Sequence, residues 1–260
     1  MRARRAGRGP LAHCRARRTA VNLEERKDLA AVFRGAAMFS GQAGVCSHFS
    51  LRVSADPLLF LLNPWGMYFS EARASELMLV DAHGVDQLGG RDGGFAAFNI
   101  HAQIHAIHPE AHCVLHTHMP YATALTMLEN GRLEAASQEA LRFYDDVAYD
   151  DSYNGLAHDA GEGERIARQM GDKHVLFLAH HGVIVVGSSV AQAFDRLYYL
   201  ERAAELQVKA MSCNRPLRLV PHDIAKKTAN QFGREREHWA RLHLDALRRK
   251  LDHEHPEYAS

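Results

Sequence analysis

The chain has 260 residues, of which 47% are hydrophobic and 24% are charged, and its formal net charge is +0. These values are ordinary for a globular protein with one large core, and they predict no membrane span because no apolar run reaches about 18 residues. Seven of the 31 basic residues lie within residues 1–20, which leaves 24 basic against 31 acidic residues downstream. This mildly acidic remainder predicts no nucleic-acid partner.

The basic first segment, residues 1–21, is predicted to be a disordered extension. A targeting peptide and a nucleic-acid-binding arm are the alternatives, although the apolar region of a secretory signal is missing. Four cysteines lie far apart without a CxxC pair, namely Cys14, Cys46, Cys113 and Cys213. This spacing is typical of free thiols in a reducing compartment, so we expect a cytoplasmic protein.

Hydrophobic periodicity predicts one α/β domain followed by a helical C-terminal extension. Helices are predicted at residues 23–39, 74–76, 98–108, 120–128, 163–170, 190–211 and 222–251. Strands are predicted at residues 47–53, 58–62, 77–81, 113–118, 175–178 and 183–186. We also expect residues 67–69 to continue the sheet and residues 143–156 to form strand and loop. For residues 134–141 the sequence does not distinguish between helix and other structure.

Two histidines, His116 and His118, flank Thr117 on the predicted strand 113–118. Alternate residues of a strand point to the same face, so the two imidazoles converge, with Cα atoms roughly 6–7 Å apart. Two imidazoles placed in this way suit a single divalent metal ion.

A third histidine, His181, is the candidate that completes this site. The apolar run 175–179 ends abruptly in His180, His181 and Gly182, and the glycine permits a close backbone approach. Three neutral histidines leave open positions on an ion, as catalytic metal sites do. Because the chain has 18 histidines, ordinary polar residues at strand ends remain the alternative interpretation.

A competing cluster lies on the predicted helix 98–108, where His101, His105 and His108 follow a spacing of i, i+4 and i+7, with His112 beyond them. We interpret this cluster as a solvated or interface face, because the isoleucines of the same helix are needed for the core. His105 or His108 could also support metal ligands through hydrogen bonds.

Five short motifs occur in a fixed order, at residues 44–52, 63–66, 108–111, 114–118 and 178–183. Together they resemble the class II aldolase and adducin-head family. The resemblance implies a domain of this family over residues 22–215, followed by the helical C-terminal extension over residues 216–260. The resemblance implies a three-layer sandwich in which helices flank a central mixed sheet. It also implies a homotetramer with one divalent metal ion per subunit, held by His116, His118 and His181. Zinc is the expected ion, with iron and manganese as alternatives, because imidazole ligands accept each of them.

Two positions depart from the sugar-phosphate aldolases of this family. In those enzymes a carboxylate moves the proton during metal-assisted cleavage, whereas the matching position here, nineteen residues before His116, is Ala97. Their phosphate-loop asparagine is matched by His48, which leaves few donors for a dianion. The resemblance therefore implies a small unphosphorylated hydroxy or keto substrate.

Further site residues are expected from the chain between the ligand strands and from two family loops. The proton-transfer candidates are Glu139, Tyr144 and Tyr149. The substrate-binding candidates, by match with the family loops, are His48, Arg52, Asn63 and Gly66. Arg52 and His48 could pair with a carboxylate, while packing, strand-surface or turn-forming roles are the alternatives for each of these residues.

Three functions follow from these features. The first is a metal-dependent carbon–carbon lyase acting on a small molecule. The segment at residues 98–105 resembles the adducin-like branch of the family, which contains iron-dependent oxidative decarboxylases, so an Fe(II) enzyme acting on an aryl keto acid is the second. A non-catalytic, adducin-like interaction module is the third. Because the animal adducin head lacks the metal histidines that this chain keeps, we expect an enzyme.

Overall fold

The computed structural model of the chain describes residues 22–89, 95–157 and 160–260, so the predicted extension at residues 1–21 lies outside them. The strands of the described residues are β1 (His48–Ala55), β2 (Leu58–Leu62), β3 (Met78–Asp81), β4 (Cys113–Thr117), β5 (Val147–Asp150), β6 (Val175–Leu178) and β7 (Gly182–Gly187). These seven form one sheet in the order β3-β2-β1-β4-β7-β6-β5. Neighbouring strands are antiparallel, except that β5 and β6 run parallel, so the sheet is mixed as predicted.

The helices lie close to the predicted ranges. They are α1 (Leu23–Met38), α2 (Phe95–Ile107), α3 (Pro120–Thr126), α4 (Ala160–Gln169), α5 (Val190–Met211) and α6 (His222–Glu254). Short 3-10 helices occur at Phe69–Glu71, Ala74–Glu76, Ala140–Phe143 and Pro256–Ala259. The segment 134–141, which the sequence left open, thus runs into a 3-10 turn. Within the described residues, no helix is long and apolar enough to cross a membrane.

The prediction that residues 67–69 continue the sheet is wrong, because side chains take up the backbone donors of this segment. The Tyr68 N–H donates to Glu71 Oε2 at 3.0 Å, and the Phe69 N–H donates to Gln42 Oε1 at 3.0 Å. The bond to Glu71 closes a turn, and the bond to Gln42 joins Phe69 to a segment 27 residues earlier. Hydrophobic periodicity does not report either kind of bond to the backbone.

Side chains of β1 alternate across the sheet and divide the helices into two layers. Phe49 and Leu51 pack in the main core with α1, α5 and α6. His48 and Ser50 point to the opposite face, where α2 lies. The apolar part of that second face joins the sheet to α2 and α4 through Ile100, Ile104, Ile166, Leu176 and Ile184. The architecture is the expected three-layer α/β sandwich.

The C-terminal helix α6 completes the main core. Its Leu244, Leu247 and Leu251 are buried among side chains of α1 and α5. Residues 216–260 therefore supply apolar surface to the sandwich as well as following it, and the proposed boundary at residue 215 stays a prediction.

Packing of α4 on α2 predicts a large effect of one added methyl group. A Cβ at Gly163 would lie 2.8 Å from the Asn99 carbonyl oxygen, and backbone atoms cannot give way as a flexible side chain does. We expect Gly163→Ala to lower the free energy of unfolding by about 1–3 kcal/mol, measured by urea denaturation. Gly233→Ala in α6 meets no atom within 4 Å. It should raise stability by up to about 1 kcal/mol, so an equal response of both variants would contradict the packing argument.

Candidate metal centre

Three histidines meet where β4 ends and β7 begins. His116 lies in β4, His118 follows it directly, and His181 precedes the first residue of β7. Because β4 and β7 are antiparallel neighbours, with Thr117 opposite Val183, the end of one strand lies beside the start of the other. One ring nitrogen from each histidine lies within 4.8 Å of the other two.

Hydrogen bonding sets the orientation of the central ligand. His116 Nδ1 lies 3.1 Å from the Val183 carbonyl oxygen and donates to it, since a carbonyl only accepts. The neutral ring therefore keeps its lone pair on Nε2, and a carbonyl that fixes the tautomer in this way is typical support for a metal-ligating histidine.

The spacing of the ring nitrogens fits an ion held in common. His116 Nε2 and His118 Nε2 are 3.3 Å apart. Two nitrogens bound at about 2.0–2.1 Å with a tetrahedral angle between them would be about 3.3–3.4 Å apart. The ring centroids are 4.8 Å apart for His116 and His181, and also for His118 and His181. This donor set fits one divalent ion and leaves further coordination positions open.

All three imidazoles are held neutral by their surroundings. Burial, followed by the neighbouring His181 and His118, lowers the pKa of His116 well below its ordinary value. Burial and His118 lower the pKa of His181 to about 4, and burial lowers the pKa of His118. Neutral imidazole is the form that ligates a metal, so no proton has to leave at neutral pH.

The turn before β7 explains why the motif reads His-His-Gly. His180 adopts a left-handed conformation with φ +56° and exposes its side chain, so it serves the turn. The backbone of Gly182 passes so close to β4 that a Cβ would lie 2.7 Å from the Thr117 carbonyl oxygen and 2.8 Å from His118 Cδ2. Only glycine allows His181 and His118 to approach each other at this point.

A buried carboxylate that sequence reasoning missed holds the chain after His118. Both Glu201 carboxylate oxygens accept backbone N–H bonds at 2.9 Å, from Tyr121 and from Ala122 at the start of α3. Burial raises the pKa of this carboxyl to about 7. The available signal was an acidic residue within the apolar stripe of α5, beside Leu197 and Leu200.

Of the predicted substrate-binding residues, His48 lies nearest to the three histidines. It pairs directly with His116 across β1 and β4, and its buried ring stacks on Trp65 with centroids 5.6 Å apart. Arg52 instead donates to the His105 and Pro109 carbonyls at the end of α2. Its guanidinium therefore fixes the end of a helix.

The other two predicted substrate-binding residues shape the backbone around His48. The Asn63 amide is buried, donates to the Ser47 carbonyl at 3.2 Å, and accepts from the Phe49 N–H at 3.3 Å. Gly66 lies in an exposed turn with φ +85°. Asn63 thus ties the start of β1 to the end of β2.

Two of the three predicted proton-transfer residues, Tyr144 and Tyr149, have hydrogen-bond partners outside the three histidines. Tyr144 Oη lies 2.7 Å from His222 Nδ1 of α6. Tyr149 Oη accepts the Leu133 N–H at 3.0 Å, and burial raises the pKa of this phenol. Glu139 precedes the 3-10 helix Ala140–Phe143. Their role in proton transfer stays a prediction.

The expectation that the α2 histidines form a solvated or interface face is wrong for His101 and His105. Both rings are buried against β1, where Ser50 Oγ lies 2.6 Å from His101 Nδ1 and 2.7 Å from His105 Nε2. Helical spacing shows which residues share a face of the helix. It does not show that the strand residue beneath that face is the polar Ser50. His108 bonds to the Ala167 carbonyl of α4 at 2.8 Å, and His112 is exposed.

The chain is similar to known proteins both in sequence and in fold. Residues 27–208 match the family described as Class II Aldolase and Adducin N-terminal domain. The chain is 34% identical over 239 residues to a protein of Caulobacter vibrioides named "Putative aldolase class 2 protein", covering 91% of this chain and 92% of that protein. It is 30% identical over 194 residues to "Decarboxylase NovR" of Streptomyces niveus, covering 73% and 71%. The crystal structure of an aldolase II superfamily protein from Pseudomonas syringae has a TM-score of 0.87 and 34% identity, covering 95% of this chain and all of that one.

The close approach at Gly182 generates a direct test of the site geometry. Gly182→Ala would push the His118 ring away from His116 and His181. We expect its affinity for Co²⁺ to fall about 10–100-fold, as found when groups that orient metal ligands are changed, measured by titration of the visible absorption. Gly233→Ala, with open space around it, is the matched control. Unchanged affinity in Gly182→Ala, with the fold intact, would contradict this geometry.

Proposed function

Because the chain belongs to the class II aldolase and adducin N-terminal domain family, we propose that it is a divalent-metal-dependent carbon–carbon lyase. Its substrate is a small, unphosphorylated hydroxy or keto compound. The observation that carries the proposal is the convergence of His116, His118 and His181, whose ligand atoms lie within 4.8 Å of one another. Without an ion, His118 Nε2–H can donate to His116 Nε2 at 3.3 Å, whereas a bound ion accepts a lone pair from each of the three rings.

In the proposed site these three histidines hold one divalent ion per subunit, with zinc expected and iron or manganese as alternatives. A bound ion of this kind polarises substrate oxygens and stabilises the negative charge that develops on bond cleavage. His116 keeps its ligand nitrogen directed inward through the bond to the Val183 carbonyl. Glu201 holds the backbone that follows His118.

The neighbourhood of His48 supports an unphosphorylated substrate. A phosphate dianion needs several N–H and hydroxyl donors, whereas the residue opposite His116 is a buried imidazole stacked on Trp65. The guanidinium of Arg52 is engaged with backbone carbonyls. In the proposed site His48 contacts substrate directly, while Arg52, Asn63 and Gly66 shape the segments that carry it.

Proton transfer by Glu139, Tyr144 or Tyr149 remains part of the proposal. Because the hydroxyls of Tyr144 and Tyr149 contact other residues of this chain, a subunit boundary of the proposed homotetramer is the place where the proton-transfer residues would meet a site. Sedimentation velocity that finds only the monomer would contradict this arrangement.

A second candidate is an Fe(II)-dependent oxidative decarboxylase of an aryl keto acid. Its support is the similarity to a protein named as a decarboxylase, together with a ligand set of three imidazoles that suits iron. A non-catalytic, adducin-like module is the third candidate. The convergence of three histidine side chains on one point disfavours it, because a binding scaffold has no need of a set of metal ligands.

Metal content distinguishes these candidates. We expect about one zinc per chain by mass spectrometry in protein purified without added metal, and a loss of most of it in His116→Ala, which removes one of three ligands. Chelation should lower the thermal midpoint of the parent protein, because it removes a bound metal that stabilises the fold. It should not lower the midpoint of His116→Ala, which has little bound metal to lose. His108→Ala, directly after the last residue of α2, is the control.

Iron together with oxygen uptake on an aryl keto acid would support the second candidate. An absence of metal, with the His116→Ala midpoint unchanged, would reject the metal site altogether.

Substrate class is tested with matched pairs of compounds. The zinc-loaded protein should cleave 4-hydroxy-2-keto acids to a keto acid and an aldehyde, followed with a coupled dehydrogenase. Ketose 1-phosphates should be cleaved at least about 100-fold more slowly, because the site lacks donors for the dianion. Preference for the phosphorylated compound would overturn this part of the proposal.

A further inference from the structure

Buried polar groups form a chain beneath α2 that leads toward the histidine site. Ser50 Oγ on β1 lies between His101 Nδ1 at 2.6 Å and His105 Nε2 at 2.7 Å. His105 Nδ1 lies 2.8 Å from the Ala111 carbonyl oxygen. His101 and His105 are one helical turn apart on α2, so both rings reach the same strand residue.

The hydrogen-bond pattern determines where each proton lies. The Ala111 carbonyl only accepts, so His105 carries its proton on Nδ1, and its neutral Nε2 accepts from the Ser50 hydroxyl. Ser50 has then used its one proton, so its oxygen accepts from His101 Nδ1–H. The lone pair of neutral His101 is consequently on Nε2.

His101 Nε2 is a buried acceptor that makes no hydrogen bond of normal geometry with any of the described residues. Leaving such a group unpaired in a protein interior costs about 1–3 kcal/mol, and a proton taken up on this nitrogen removes that cost, because the His48 carbonyl can then accept from it. Every other nitrogen of the His101 and His105 rings has a partner, which singles out this atom.

Within this row of buried polar groups, His101 is on the side that faces the candidate metal centre. Its ring centroid is 6.5 Å from that of His48, and His48 pairs with His116 across β1 and β4. A charge on His101 is felt at His116, where it lowers the pKa of that ligand. His101 follows position 97, where the residue is Ala97, by one turn of α2.

We propose that His101 is the proton acceptor of the histidine site, its tautomer held by Ser50 and His105. This inference rests on the proposed metal-dependent function. A hydroxyl entering beside His48 loses its proton to the Nε2 lone pair, the electron pair of the broken O–H bond stays on oxygen, and His101 becomes an imidazolium. The same proton returns to the product in the reverse transfer, so no other reactant is needed.

The surroundings of His101 suit a group that is neutral at rest and holds a proton transiently. Burial, followed by His48 and His105, lowers the pKa of His101 well below its ordinary value, while the His48 carbonyl raises it. The titratable groups that face it are His48, His105 and His116. Once protonated, Nε2–H can donate toward that carbonyl while Nδ1–H still donates to Ser50, so both ring nitrogens act as donors.

A proton count on ligand binding tests this role without a known substrate. Acetohydroxamic acid loses its N–OH proton when it chelates a metal ion. Calorimetric titration of the zinc-loaded protein in two buffers of different ionisation enthalpy reports how many protons reach the solvent. The variant His101→Gln has a side chain of similar volume that cannot accept a proton. We expect it to release about one proton more per bound chelator than the parent protein. His108→Gln, directly after the last residue of the same helix, should behave as the parent.

Two checks separate this inference from its premise. Equal proton release by folded, zinc-loaded His101→Gln and the parent would overturn the role of His101 alone, whereas failure to bind zinc or the chelator in the parent would overturn the proposed metal site. If His101→Gln does not fold, Ser50→Ala takes its place. Loss of the serine frees the His101 ring to turn, so proton release should rise there too, and an unchanged count would contradict the proposal.

Discussion

The pairing of β4 with β7 is the contact on which the histidine site depends. It places Thr117 opposite Val183 and so brings the end of one strand to the start of the other. The bond from His116 Nδ1 to the Val183 carbonyl crosses the same pair of strands. Because side chains alternate, a slip of one residue in this register would turn His116 into the apolar core under α1 and α5. The geometry of the site is thus a consequence of sheet register.

The sheet separates a layer that stabilises the fold from a layer that carries polar chemistry. The face toward α1, α5 and α6 is almost entirely apolar, and α6 adds its leucines there. On the other face, next to α2, buried imidazoles lie beside the isoleucines of the second core. Buried polar groups are costly unless bonded, so Ser50, the Ala111 carbonyl and the Val183 carbonyl offset much of that cost.

Sequence patterns predicted most elements of the fold because those elements depend on burial alone. The alternation in β1 and the apolar run of β6 both follow from which faces are covered. The prediction of a strand at residues 67–69 was wrong because the side chains of Gln42 and Glu71 bond to the backbone of this segment, and hydrophobicity does not record such bonds. Likewise Glu201 could not be assigned to the backbone after His118, since the two are far apart in sequence.

By itself, the sequence determined which histidines belong together: the spacing of His116 and His118 on a strand, and the abrupt His-His-Gly after a buried run, are local patterns. It also determined, through Ala97, that a carboxylate is missing at one position. Only the tertiary structure decided what lies opposite each histidine. Whether His101 faces solvent or Ser50, and which of its nitrogens keeps a lone pair, depends on how α2 packs on β1, and periodicity along one helix carries no information about the surface it meets.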